Sequence, residues 1–135
     1  MKIPGVEYKT LCRYCSLSNE LLIAEESGYG IYAYDEPFNN GHIVIVPRRH
    51  VSLSELSVEE LYKALRLVKR AEATLRSVYH PQGLNIGLVA YPHVAFHIVP
   101  RWGGDVSFIK VFFNAKPIPE TPIQYAERLR RAWRS

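Results

Sequence analysis

One long helical repeat, set among apolar runs too short to be helices, limits the fold more than any other feature. Ser57 and Glu60 have the spacing of a capping box, in which two residues satisfy each other's orphan backbone N–H groups. Leu61, Leu65, Val68, Glu72, Leu75 and Val78 follow at helical intervals, and all but Glu72 are apolar. The repeat predicts a helix from Ser57 to about Tyr79, stopped before Pro81 and Gly83. Ahead of it, "LLIAEES" and "YGIYAYD" read as strands joined at Gly28, and "GHIVIVPRRH" as a third strand ended by Pro47. After it come "LNIGLVA", "HVAFHIVP" and a possible sixth strand, "VSFIKVFF". Thr121-Pro122 looks like the N-cap and first residue of a last helix ending near Trp133. Strands outnumber helices and mostly follow one another directly. That order predicts an α+β domain: an antiparallel sheet of about five strands, one long helix across it and a C-terminal helix.

At 135 residues the chain fits one domain, residues 1–135, with a core large enough to need no disulfide staples. No apolar run approaches the roughly 18–20 residues of a membrane span. No apolar signal region opens the sequence, so a cytoplasmic address is the expectation. The net charge of +4 fits a solvated surface with some pull toward phosphates. No nucleic-acid-binding module is recognisable.

The two cysteines, Cys12 and Cys15, are spaced C-x-x-C. A structural disulfide over so short a loop does not suit a chain of this type, which leaves metal or redox chemistry. Zinc takes four thiolate or imidazole ligands in a tetrahedron. Cys12, Cys15, His50 and His93 could form such a set and clamp the N-terminal knuckle to the sheet. Two buried thiols and two unrelated histidines would explain the same residues.

In "HVAFHIVP", alternate side chains share a strand face, so His93, Ala95 and His97 line one side and apolar Val94, Phe96 and Ile98 the other. A lone strand histidine is usually structural. Two on one face, beside "PRW" and near His42 of "GHIVIVP", point to a site.

"HVAFHIVPRW" resembles the signature of the histidine triad (HIT) superfamily, His-x-His-x-His followed by two apolar residues. "GHIVIVPRRH" resembles that family's upstream strand, opened by Gly-His and closed by Pro-x-x-His, and "NIG" matches a third element. "VPRWGGDVSF", "IPE" and the last helix are similar to the branch of diadenosine polyphosphate phosphorylases and hydrolases. The resemblance runs from Cys12 to the C-terminus. It implies a single HIT domain with an N-terminal zinc knuckle, usually paired as a homodimer through the long helix and a strand. It implies a purine nucleotide or dinucleoside polyphosphate as ligand, attacked at the α-phosphate by the middle histidine of the triad. It also implies a structural zinc held by Cys12, Cys15, His50 and His93.

Ala95 stands at the nucleophile position, and alanine has no lone pair with which to accept a phosphoryl group. His97 matches the third histidine, which helps hold the phosphates, and His42 a histidine lying against the active-site strand. "LVAYP" is shorter than the segment the family usually has there, and "DEP" is one residue short of Asp-x-x-Pro. Tyr34 and Asp35 are therefore candidate ribose contacts, Asn85 a candidate phosphate or strand contact, and Arg101 with Trp102 a candidate rim for a polyphosphate tail. Intact surroundings fit a histidine replaced by design, and the shortened loop fits natural loss. Three functions follow: a nucleotidyl-transferring enzyme if residue 95 is natively His, an inactive nucleotide-binding protein, or a zinc-stabilised interaction module.

Overall fold

The structure is a computed structural model, and it describes residues 12–105 and 120–134. Short 3-10 turns at Arg13–Cys15 and Asn19–Leu21 lead into β1 (Leu22–Glu26), β2 (Tyr29–Ala33) and β3 (Ile43–Pro47). A further 3-10 turn, Leu53–Glu55, precedes α1 (Val58–Tyr79), then β4 (Gly83–Val89), β5 (Ala95–Arg101) and α2 (Pro122–Arg134). The five strands form one sheet in the order β1-β2-β3-β5-β4, with every pairing antiparallel. The α+β architecture anticipated from the strand order is therefore present. The possible strand "VSFIKVFF" lies outside the described residues. No helix among the described residues is long and apolar enough to cross a membrane.

The strand register sorts side chains onto two faces. Ile31 pairs with Ile45, and Ile45 with Phe96, while Ile43 pairs with Ile98. These residues form the face covered by the helices, and all are buried. Tyr32 pairs with Val44, and Val44 with His97, so these three occupy the opposite face. Both sides of β2 and β3 are covered, which is why every residue of those strands is buried.

The capping box at α1 forms as its spacing predicts. Ser57 Oγ accepts from Glu60 N at 3.1 Å, and Glu60 Oε1 accepts from Ser57 N at 3.0 Å. The buried side of the helix differs from the expected one. Ala64, Leu67, Val68, Ala71 and Leu75 are inside, whereas Leu65 stays half exposed. The small side chains of Ala64 and Ala71 let the helix lie close to the sheet, and that rotates Leu65 outward. At α2, Thr121 Oγ1 accepts from Gln124 N at 3.2 Å, the cap anticipated for that helix.

Gly41, with φ of 84°, joins the two faces. A Cβ added there would sit 2.8 Å from the Tyr79 ring and 3.0 Å from Leu75. The adjoining His42 carbonyl is reached by the Tyr125 hydroxyl of α2 at 3.1 Å.

Candidate metal centre and phosphate cradle

The knuckle brings Cys12 and Cys15 onto the sheet face that carries His97. Cys12, Cys15, His50 and His93 each offer a ligand atom, and these atoms lie within 4.8 Å of one another. His93 Nδ1 is 3.4 Å from Cys12 Sγ and 3.3 Å from Cys15 Sγ, and His50 Nδ1 is 3.2 Å from Cys15 Sγ. A zinc tetrahedron with ordinary Zn–S and Zn–N bonds has N···S edges of about 3.5 Å, so the donors present fit that ion. The tautomer fits too. His93 Nε2 lies 3.0 Å from the Pro47 carbonyl, which can only accept, so Nε2 carries the proton and Nδ1 presents its lone pair to the thiols. Burial lowers the His93 pKa and favours the neutral, ligating form. Both cysteines are free of disulfides.

His93 was expected inside the fifth strand, but β5 begins at Ala95. Its ring turns to the cysteines instead, held between the Pro47 carbonyl and the thiols. Ala95 pairs with Val89 and has no exposed surface. Two residues on, His97 remains partly accessible. The three alternate positions thus differ: an imidazole facing two thiols, a buried methyl and an imidazole bonded to His42 and Tyr14.

His97 is hydrogen-bonded at both ring nitrogens, with His42 Nε2 2.9 Å from Nδ1 and the Tyr14 hydroxyl 2.9 Å from Nε2. Behind them, Phe38 N–H donates to His42 Nδ1 at 3.1 Å. Burial, and then His97, lowers the His42 pKa to about 4, and burial lowers that of His97 as well. Both imidazoles are therefore neutral near pH 7. The Tyr34 ring packs 4.8 Å from His42 and 4.9 Å from His97, centroid to centroid, and Tyr14 lies 5.8 Å from His97.

The remaining sequence candidates are placed as follows. Asp35 is engaged by Arg13 of the knuckle at 2.6 Å, and the Arg13 guanidinium lies 4.9 Å over the Tyr34 ring. Asn85 and Arg101 lie on the same sheet face as His97, further along β4 and β5, and Arg101 donates to Asn85 Oδ1 at 2.7 Å. Arg101 also grips Asp105, and its guanidinium lies 4.8 Å over the half-exposed Phe38 ring. Arg101, with hydrogen bonds from Asn39 and Trp102 N, holds the Asp105 carboxyl far below the usual carboxylate range. Trp102 packs edge-on against Tyr79. A cavity of about 260 Å³ opens beside the metal cluster, lined in part by Tyr14, Ser16, Tyr32, Arg48 and His50.

Sequence reasoning did not single out Tyr14, Arg13 or Asp105. An aromatic residue between two candidate metal ligands was the available signal for Tyr14. For Asp105 it was the "PRWGGD" segment, which was quoted without a role for its aspartate.

A HIT domain family model matches residues 18–103. An AP-4-A phosphorylase of Mycobacterium tuberculosis is 34% identical over 115 residues, 77% of this chain and 59% of the phosphorylase. The chain thus spans less than two thirds of that relative's length. An uncharacterised HIT-like protein of Methanocaldococcus jannaschii is 30% identical over 112 residues, 74% of this chain and 86% of the relative. Among solved structures, a zinc-bound histidine triad family protein from Mycobacterium smegmatis superposes with a TM-score of 0.71 at 23% identity, over 93% of this chain and 95% of that one. The family model, the identity to relatives and the shared sheet-and-helix architecture together show that this chain belongs to the histidine triad (HIT) family.

Proposed function

We propose that this HIT-domain chain binds a purine nucleotide or dinucleoside polyphosphate and, with alanine at position 95, forms no nucleotidyl-histidine. The carrying observation is the hydrogen-bonded pair of His42 with His97, the latter two residues beyond Ala95, on the face that also bears Asn85 and Arg101. His97 and backbone amides stabilise phosphate oxygens, Tyr34 and Asp35 border the ribose, and Asn85 and Arg101 meet the outgoing polyphosphate. Loss of a covalent nucleophile removes most of the rate and can leave ground-state affinity in place. A histidine at 95 would attack the α-phosphorus from a neutral Nε2 and expel the remaining phosphate chain, and water or phosphate would then cleave the P–N bond. The relatives support the ligand class, since the phosphorylase bears AP-4-A in its name.

Zinc, held by Cys12, Cys15, His50 and His93, would serve as a clamp. Four protein ligands close the coordination sphere and leave no position for substrate. We further propose a homodimer across β4, an edge strand of the sheet among the described residues. Ile86 and Leu88 are exposed there, and Val58, Tyr62 and Leu65 are exposed on α1.

The test is Ala95→His assayed with diadenosine tetraphosphate, with and without phosphate, beside AMP binding to both chains. The expected result is binding by both and turnover only by the variant. Equal turnover by both chains would place the nucleophile elsewhere, and absence of binding by both would remove the nucleotide reading.

A further inference from the structure

We infer that the Tyr14 hydroxyl occupies the position on His97 that a ligand phosphate oxygen must take, so Tyr14 sets the cradle's affinity by competing with the ligand. This rests on the nucleotide-binding reading above and names a residue which that reading leaves without a role. The Phe38 backbone N–H can only donate, and it donates to His42 Nδ1. A neutral His42 therefore carries its proton on Nε2 and donates to His97 Nδ1. A neutral His97 then carries its proton on Nε2 and donates to the Tyr14 oxygen. Every hydrogen bond in the chain is oriented by the first.

Two consequences follow. His97 cannot serve as a base toward Tyr14, because the nitrogen facing the hydroxyl already bears a proton. Tyr14 is thus no substitute for the missing nucleophile. The one N–H that His97 can offer an anion is also spent on Tyr14. The geometry of the cavity agrees. Tyr14 lines the cavity of about 260 Å³, and its hydroxyl caps Nε2 of the partly accessible His97 ring.

Tyr14 is pinned from both sides. Arg13 is tied to Asp35 at 2.6 Å and to Glu36 at 3.1 Å, while Cys15 approaches His50 and His93. An incoming phosphate must therefore displace the anchored Tyr14 hydroxyl before it can accept the His97 N–H. Phenylalanine at this position keeps the ring but leaves the His97 N–H without an acceptor, available to the anion.

The test measures AMP and inorganic phosphate binding to the native chain and to Tyr14→Phe by calorimetry, with zinc content and melting as checks on the fold. The native chain is also labelled at its histidine ring nitrogens and titrated with phosphate. The expected results are AMP binding about tenfold tighter in Tyr14→Phe, as suits the removal of one competing hydrogen bond, and a phosphate-dependent shift of His97 Nε2. Unchanged or weaker binding by a folded Tyr14→Phe overturns the inference and leaves the nucleotide reading intact. A His97 resonance that stays still while AMP binds the native chain does the same. If the variant does not fold, the nitrogen titration of the native chain decides alone. Absence of all AMP and phosphate binding overturns both readings together.

Discussion

On the helix side of the sheet, Ile31, Ile43, Ile45 and Ile98 are wholly buried beneath α1 and α2, and the contact is hydrocarbon against hydrocarbon. On the other side the same strands carry His42 and His97, and the cover is a short knuckle held by polar contacts. Arg13 pairs with Asp35, Tyr14 bonds His97, and two thiols face two imidazoles. The first side draws its stability from area removed from water, which is insensitive to pH and to metal. The second depends on protonation state and on four thiol and imidazole groups that could hold a metal ion. A chain of 135 residues can therefore keep its fold while one face is remodelled. That freedom is consistent with a HIT domain that carries alanine at position 95.

The contrast can be broken in three ways, taken from the largest effect to the smallest. Leu75→Ala empties a fully buried site under the sheet. It should cost about 4 kcal/mol of folding free energy and leave zinc affinity unchanged, read by urea unfolding beside a metal competition assay. Any large loss of zinc affinity in that variant would show that the faces are not independent.

Acid should act on the polar face. The His42 pKa is lowered to about 4 in the folded chain, against an ordinary value near 6.5. The unfolded chain binds the extra proton first. Stability is therefore whole above about pH 6.5 and declines as pH falls toward 4, by about 3 kcal/mol for this group. Burial shifts His97 and His93 in the same direction. Unfolding measured across that range should show the slope, and His42→Asn should flatten it.

Chelation is the mildest of the three. Zinc at a hundredfold excess over its Kd adds about 2.7 kcal/mol, and a chelator should remove that much. The loss should add to that of Leu75→Ala within about 0.5 kcal/mol, because the two sites share no partners.

Legibility in the sequence divides along the same line. Period-2 alternation in β5 told the apolar face from the histidine face, and Ser57 with Glu60 marked the start of α1, because both signals are local. The cluster of Cys12, Cys15, His50 and His93 was anticipated from residue types and the family resemblance, and their side chains do meet. What local pattern could not supply was the target of each long-range polar contact. Asp35 faces Arg13, Arg101 faces Asn85, and Tyr14 reaches His97 across 83 residues of chain. Leu65 misled for a related reason: helical spacing marks an apolar stripe, but the small Ala64 and Ala71 decide which part of it meets the sheet.

Gly41 lies at the seam between these two regimes. Its missing methyl is what allows α1, through Tyr79 and Leu75, to press against the backbone that delivers His42. A single added carbon there would act as a wedge, lifting the imidazole pair on one side and prising the helix on the other. The two faces, chemically unlike, are thus mechanically joined at Gly41, where a push on either is passed to the other.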